Sequence, residues 1–286
     1  MPQDGSALAG CVMRASKILW LIYKRLRTAT GVSLGFTVMY GAYTNNLNLS
    51  LSPIAIGAWL ILLAGDLYND SQDYEEDKRN KRIDKWTTQG LMNTEQIKML
   101  AKITGALGLF ALLFTTPYIF LLGLAGVITG IAYSHPRINL KKKELAGYII
   151  VSLPIFFIPF AYNTQFHREI SEMDIFFSLF AGFHYLYLYC QKDATDRSDD
   201  INLFKKHSWR NATLITALFA FLSLIFFIPL TFFSVYLIAV WFVLAAADFV
   251  NLYLIATKSI KWATRKSLVL VKFLVPYMYL GAVMIG

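Results

Sequence analysis

Apolar segments of roughly the 20 residues that a helix needs to cross a bilayer recur along the whole chain. Shorter polar segments separate them, and no linker is long enough to divide soluble domains. The pattern predicts an all-α integral membrane bundle of about nine transmembrane helices. The predicted spans are 29–44, 52–70, 97–115, 117–134, 145–163, 174–192, 209–228, 231–257 and 267–285.

The N-terminal region differs from this pattern. Residues 14–27 form an amphipathic stretch that is expected to lie along the membrane interface, and residues 1–13 are expected to be a disordered tail. Residues 14–286 are therefore predicted to form one membrane domain. Cys11 and Cys190 are too few and too far apart to indicate a disulfide framework or a zinc site.

Charged residues are scarce and unevenly placed. They make up 16% of the 286 residues, against about 25% in an average soluble domain, and 56% of residues are hydrophobic. Lysine and arginine concentrate in the loops after the second, fourth, sixth and eighth spans, whereas the opposite connections contain only Arg168. The positive-inside rule places the basic loops in the cytoplasm. The net charge of +9 is therefore mainly a topology signal, and nucleic-acid binding is disfavoured because no soluble basic domain carries it.

Two acidic runs stand at the cytoplasmic ends of the second and sixth predicted spans. Their carboxylates recur at i, i+4, i+7 and i+11 in one run and at i, i+3 and i+7 in the other, so each set forms one stripe of a helix. Asp66, Asp70, Asp73 and Asp77 form the first stripe, and Asp193, Asp196 and Asp200 form the second. Carboxylates at the mouth of a bilayer are costly without cations among them. Mg²⁺ commonly bridges such ligands to substrate phosphates, so the stripes indicate an enzyme acting on a diphosphate.

The two acidic runs occur in the same sequence context, which suggests an internal repeat. Each ends an apolar span and precedes a basic, polar loop, and four spans separate them. This arrangement predicts two related halves, with motifs at 69–77 and 193–200, that face a common cavity under cytoplasmic cap loops. The charged clusters lie at helix ends rather than near the bilayer midplane, which favours a capped reaction chamber over alternating access.

These motifs resemble those of a known family. Asn69-Asp70-x-x-Asp73-x-x-x-Asp77 and Lys192-Asp193-x-x-Asp196-x-x-x-Asp200 look like the paired signatures of UbiA-type intramembrane prenyltransferases. Tyr133-Ser134-His135-Pro136, with Lys141 soon after, is similar to a third recurrent stretch of that family. The resemblance covers nearly the whole chain and agrees with the number of predicted spans.

The resemblance implies a helical bundle around a central cavity that opens sideways to the lipid. It also implies Mg²⁺-dependent transfer of an isoprenoid chain from a polyprenyl diphosphate to an aromatic or other lipophilic acceptor, with release of diphosphate. Metal ions would stabilise the charge that develops on the leaving group. One ion is assigned to Asn69, Asp70, Asp73 and Asp77, and a second to Asp193, Asp196 and Asp200; the carboxylates expected to act in catalysis are Asp66, Asp70, Asp73, Asp193 and Asp196.

Basic and hydroxyl side chains beside the motifs are expected to bind the diphosphate. Arginine can contact phosphate oxygens bidentately, and tyrosine and serine can donate hydrogen bonds. The expected set is Lys78, Arg82, Lys85, Tyr133, Ser134, Lys141, Lys192 and Arg197. The alternative for each basic residue is that it only faces the cytoplasm and anionic lipid. Relatives commonly follow the first motif with an Arg-Pro pair and a small-residue turn before a glycine, where this chain has Asp84-Lys85-Trp86-Thr87-Thr88-Gln89-Gly90. Lysine can supply the charge but lacks the planar fork of arginine.

Three alternatives remain open at this stage. Asp66, one helical turn deeper than Asp70, either faces the cavity to act on an acceptor or a cation, or forms a hydrogen bond with a neighbouring helix. The same ionisation could instead serve a terpene cyclase, in which the carbocation closes on itself. A cation transporter would require polar groups that continue to the far side, and the far halves of the predicted spans are nearly free of charge.

Overall fold

A computed structural model describes residues 52–79, 85–165, 167, 169–195, 203–232 and 235–260. Within these ranges every regular element is helical. The helices are α1 (Ser52–Gln72), α2 (Tyr74–Arg79), α3 (Thr94–Leu112), α4 (Pro117–Ser134), α5 (Glu144–Gln165), α6 (Glu172–Thr195), α7 (Leu203–Lys206), α8 (Trp209–Thr231) and α9 (Tyr236–Ala256), with a 3₁₀ turn (Leu140–Lys143) before α5. The prediction of an all-α chain is confirmed.

Seven of the predicted spans each fall on one long helix. The agreement is closest for α4, which covers 117–134 as predicted, whereas α8 and α9 meet at a boundary shifted by several residues. The predicted spans 29–44 and 267–285, the interfacial stretch 14–27 and the tail 1–13 lie outside the described residues.

The long helices present apolar surface outwards. Three described segments are long and apolar enough to cross a membrane by themselves, namely Pro117–Ser134, Trp209–Thr231 and Leu237–Ala256, and Leu145–Phe157 is a shorter apolar stretch of α5. Large side chains such as Phe110, Phe221 and Phe249 are exposed along the helices. Exposed apolar surface of this extent suits contact with lipid rather than water, so the protein is an integral membrane protein.

Local sequence signals fix several helix ends. Asn93 caps α3 through a reciprocal pair of hydrogen bonds, since its Oδ1 accepts from the Gln96 N–H at 2.8 Å while Gln96 Oε1 accepts from the Asn93 N–H at 2.9 Å. Pro117 occupies the first turn of α4, where its missing N–H is not needed. His135 ends α4 in an extended conformation because Pro136 follows it.

The long helices pack in a continuous row. α3 and α4 both pack against α1, α4 packs against α5, α5 against α6, α6 against α8, and α8 against α9. The α1–α3 contact depends on two glycines, since a Cβ on Gly108 would stand 3.0 Å from the backbone oxygen of Gly57. Small residues at such crossings let two backbones approach closely, as is common between membrane helices.

A buried polar cluster joins α6 and α9. It consists of Tyr187 and Gln191 on α6 with Asp248 and Asn251 on α9, and each of these side chains is at most 1% exposed. The Tyr187 hydroxyl interacts with Asp248, Gln191 and Asn251. Asp248 and Lys272 lie at similar depth in the predicted spans, which predicts an ion pair between them, but Lys272 lies outside the described residues. The cluster brings these polar side chains together inside the bundle, away from the lipid, where an isolated polar group would be costly.

Candidate active site

The first acidic motif spans the junction of α1 and α2. Although α1 ends at Gln72 and α2 starts at Tyr74, helical hydrogen bonding continues through the junction. The Asp73 N–H donates to the Asn69 carbonyl at 3.0 Å, and the Asp77 N–H donates to the Asp73 carbonyl at 2.7 Å. The carboxylates at positions 70, 73 and 77 therefore keep the helical spacing that the sequence predicts.

Lys85 provides a cation for the deepest part of this motif. Its ammonium group donates to Asp70 Oδ1 and lies 3.7 Å from Asp77 Oδ2. All three residues are buried, with Asp70 only 1% exposed. Because a buried carboxylate needs a partner, this lysine holds the loop after α2 against the end of α1.

Lys141 provides a second cation from the other side. It lies in the 3₁₀ turn before α5, and its Nζ is 2.6 Å from Asp73 Oδ1 and 3.9 Å from Glu76 Oε2. The predicted residues Asp73 and Lys141 are thus brought together across the fold. Glu76 was not among the predicted site residues, although its position three residues after Asp73 could have indicated it.

Gly147 allows the turn that carries Lys141 to lie against α5. A Cβ at this position would stand 2.0 Å from the Leu140 carbonyl oxygen. We expect Gly147→Ala to push the turn and Lys141 away from Asp73, lowering stability by about 1–3 kcal/mol and reducing turnover. Gly65→Ala is the matched control, because a Cβ there meets nothing within 4 Å. Thermal unfolding and turnover of both purified variants would test this, and wild-type behaviour of Gly147→Ala would contradict the role of the turn.

Asn69 is oriented by Ser134 at the end of α4. The Ser134 hydroxyl donates to Asn69 Oδ1 at 2.7 Å, so the hydrogen bond joins two of the predicted stretches across the α1–α4 contact. Asn69 was predicted as a metal ligand, and its amide oxygen already accepts this hydrogen bond from the protein.

We expect Ser134→Ala to lower turnover by roughly fivefold, because a typical hydrogen bond contributes about 1 kcal/mol and this one positions a site residue. The control is Ser223→Ala on α8, a buried serine that donates to the Ala220 carbonyl of its own helix. Steady-state turnover of the two variants at equal folded protein would test the expectation. Equal activity of both would show that Asn69 needs no such positioning.

The second acidic motif is held at Asp193, near the end of α6. Asp193 Oδ2 accepts a hydrogen bond from the Tyr148 hydroxyl of α5 and another from the Leu203 N–H at 3.0 Å. The carboxylate is 9% exposed and therefore connects three elements, namely α5, α6 and α7. Asp196, Arg197 and Asp200 lie outside the described residues, as does Arg82 of the first cap loop.

Four tyrosines separate the two motifs. The ring of Tyr189 stacks on Tyr148 at a centroid distance of 5.5 Å and contacts Tyr133 at 6.1 Å and Tyr185 at 5.0 Å. The Tyr133 hydroxyl lies close enough to the carboxylates of Asp73 and Asp193 to interact electrostatically with both. The aromatic cluster therefore spans the interval between the first and second motifs and places them in one site.

The remaining predicted residues lie at the margins of this site. Asp66 is exposed, and its charge reaches Tyr185 and Tyr189, so it lies on the tyrosine side of α1. The positive charge of Lys192 also interacts electrostatically with the Tyr185 hydroxyl. Lys78 is exposed, and its ammonium group lies 5.8 Å from the centroid of the Tyr74 ring.

The acidic residues do not form a ready chelate in the described part of the chain. There, no three histidine, cysteine, aspartate or glutamate side chains converge closely enough to hold a metal ion. The first-motif carboxylates are instead drawn in two pairs towards Lys85 and Lys141. Their oxygen chemistry suits a hard divalent cation, but further ligands would have to complete its coordination.

Tyr148 is the main residue that sequence reasoning missed. It lies on α5, which carries no acidic motif, and its role depends on the α5–α6 contact rather than on any local spacing. Tyr189 was also not among the predicted site residues, yet it is the centre of the tyrosine cluster. A stripe of tyrosines at 185 and 189, one turn apart, was the available signal.

Comparisons with known proteins agree on the fold. The sequence profile of the UbiA prenyltransferase family matches residues 30–275. A structure concerning digeranylgeranylglyceryl phosphate synthase is similar, with a TM-score of 0.65, 16% identity, and coverage of 93% of this chain and 98% of the other. So is a UbiA homolog from Archaeoglobus fulgidus bound to DMAPP and Mg²⁺, with a TM-score of 0.65, 13% identity, and coverage of 92% and 99%. No curated protein sequence matches this chain significantly.

Proposed function

Because this chain belongs to the UbiA prenyltransferase family and is therefore a prenyltransferase, we propose that it moves an isoprenoid chain from a polyprenyl diphosphate to an aromatic or other lipophilic acceptor. The observation that carries the proposal is that the first acidic motif, paired with Lys85 and Lys141, and Asp193 of the second motif lie on either side of a tyrosine cluster. This combination supplies groups for an anionic leaving group and for a carbocation within one site.

We propose Mg²⁺ as the metal, held by Asn69, Asp70, Asp73 and Asp77 at the first motif and by Asp193, Asp196 and Asp200 at the second. Mg²⁺ is present in the A. fulgidus homolog. The donor set fits, because carboxylate and amide oxygens are the ligands Mg²⁺ prefers and substrate phosphates usually complete its shell. When bound, Mg²⁺ would act as a Lewis acid that stabilises the leaving diphosphate.

The residues of the chain have distinct proposed roles in the reaction. Lys85, Lys141 and Lys192 neutralise diphosphate oxygens, with Lys78 from α2 and Arg82 and Arg197 from the cap loops. The hydroxyls of Tyr133 and Ser134 donate hydrogen bonds to the same group. The allylic carbon–oxygen bond breaks and both of its electrons leave with the diphosphate. A lone pair or π bond of the acceptor then forms the new bond to the allylic carbon, and the acceptor loses a proton.

The tyrosine cluster and Asp66 suit the carbocation step. The π faces of Tyr185 and Tyr189 can stabilise a cation without attacking it. In this proposal Asp66, whose charge reaches the same two tyrosines, receives the proton that the acceptor loses. Water exclusion by the apolar helices protects the cation from hydrolysis.

We propose that the site opens at the cytoplasmic face. The basic loops that adjoin both motifs, and the near absence of lysine and arginine from the opposite connections, support this orientation. Cysteine accessibility in intact cells would test it: single cysteines in place of exposed Lys142 and Lys206 should be protected from a membrane-impermeant reagent until the cells are opened.

The function is tested by diphosphate release from a panel of allylic prenyl diphosphates. The full-length purified protein is assayed with and without Mg²⁺ and with a membrane-lipid extract as the source of acceptors, and products are identified by mass spectrometry. Metal-dependent release with acceptor-dependent adducts supports the proposal. A cyclised hydrocarbon formed without acceptor would instead identify a terpene cyclase, and no release across the panel would contradict the proposed ionisation.

A further inference from the structure

The first acidic motif carries its own cations. Lys85 bridges Asp70 and Asp77, and Lys141 bridges Asp73 and Glu76, so the two ammonium groups occupy the two sides of one helix end. Each lysine comes from a different connecting segment, one after α2 and the other before α5. The ammonium groups therefore occupy positions where a divalent cation would also be attracted.

We propose that Lys85 and Lys141 are resident counter-cations which oppose binding of free metal and transfer to the diphosphate when metal and substrate bind together. This inference rests on the proposed function and adds to it an order of binding. The metal and the prenyl diphosphate bind together, and each has low affinity for the site when the other is absent.

Burial makes the exchange costly for a metal ion alone. The side chains of Lys85 and Asp70 are 10% and 1% exposed, so water cannot readily replace either partner. A metal that took both Asp70 and Asp77 from Lys85 would leave a buried ammonium group without these two carboxylate partners, which is strongly unfavourable. Because no three acidic side chains converge in the described ranges, the carboxylates alone offer the metal too few ligands in return.

The diphosphate removes both difficulties. Its oxygens complete the coordination of the metal, and its negative charge gives the displaced ammonium groups a new partner. The two ligands should therefore increase the affinity of the site for each other. Such coupling is reciprocal, so the factor by which diphosphate tightens metal binding equals the factor by which metal tightens diphosphate binding.

The experiment uses the full-length protein in lipid nanodiscs with two probes. Free Mn²⁺, detected by its electron paramagnetic resonance signal, reports metal affinity without substrate. A radiolabelled prenyl S-thiolodiphosphate, which does not ionise readily, reports diphosphate affinity with and without Mg²⁺. Lys141→Met is the principal variant, because Asp73 and Glu76 are 16% and 18% exposed and can regain water when the lysine is lost.

We expect Lys141→Met to bind Mn²⁺ alone at least about fivefold more tightly than the wild type, and to bind the analogue in Mg²⁺ more weakly by a similar factor. Lys142→Met removes the same charge from the neighbouring exposed lysine and should change neither affinity. Lys85→Arg keeps the cation at the buried pair and should retain the weak Mn²⁺ binding of the wild type.

The outcomes separate the two proposals. Unchanged or weaker Mn²⁺ binding by folded Lys141→Met, or equal tightening by Lys142→Met, would overturn the role of the lysines as counter-cations while leaving the transferase proposal intact. Failure of the wild type to bind the analogue in Mg²⁺ would instead count against the proposed function itself.

Discussion

Asp70→Asn is expected to lower metal-dependent diphosphate release by roughly 10²–10³-fold, the loss typical of removing one preorganised electrostatic group from an active site. The asparagine is nearly the same size as the aspartate, and Lys85 keeps Asp77 as a partner at 3.7 Å. The buried end of α1 should therefore remain folded while the negative charge at its deepest position is lost.

A matched variant distinguishes the loss of a buried carboxylate in the active site from the loss of a buried carboxylate elsewhere in the protein. Asp174 is also buried, at the opposite end of the bundle, where Oδ2 accepts hydrogen bonds from the Ser171 N–H and hydroxyl. Asp174→Asn should keep activity near the wild-type value. Diphosphate release at equal folded protein is the measurement, and turnover within a few-fold of wild type for Asp70→Asn would remove Asp70 from the catalytic set.

Asp193→Ala is expected to reduce turnover as strongly and also to destabilise the protein. The carboxylate accepts from two buried donors, the Tyr148 hydroxyl and the Leu203 N–H, and each donor left without a partner costs about 1–3 kcal/mol. A drop in the thermal unfolding temperature should therefore accompany the loss of diphosphate release, unlike the result expected for Asp70→Asn.

Two further variants distinguish structure from catalysis at Asp193. Asp193→Asn keeps an acceptor oxygen and should recover much of the thermal stability, whereas turnover should stay low because the charge is missing. Tyr148→Phe removes one donor and should lose less stability in the Asp193→Ala background than alone, since the two effects are coupled. Full activity of Asp193→Asn would mean that the carboxylate acts only as a structural connector.

The helices could be read from the sequence because the bilayer imposes a minimum apolar length. The span 117–134 coincides with α4, since a proline starts this helix and Pro136 limits it. The junction of α8 and α9 was placed less well, because no charged residue occurs from 220 to 247 to mark the boundary. Length and hydropathy locate such helices but not the turn between them.

The site was predictable where helical spacing determines it and unpredictable where packing does. The recurrence of carboxylates at 70, 73 and 77 indicated a shared helix face, and Lys141 was indicated by resemblance. Neither signal predicts the ion pairs of Lys85 with Asp70 and Asp77, because these contacts depend on the path of the loop after α2. Tyr148 reaches Asp193 only because α5 packs on α6.

The polar cluster between α6 and α9 bears on how the protein is assembled during synthesis. A carboxylate near the centre of a membrane helix adds about 2.5–3.5 kcal/mol to the free energy of insertion. Asp248 therefore makes the insertion of α9 alone into the bilayer less favourable. Tyr187, which interacts with Asp248, and Gln191, which interacts with Tyr187, precede Asp248 in the chain and are translated first. The earlier helix thus offers the later one a polar docking point that also fixes its rotation about its own axis.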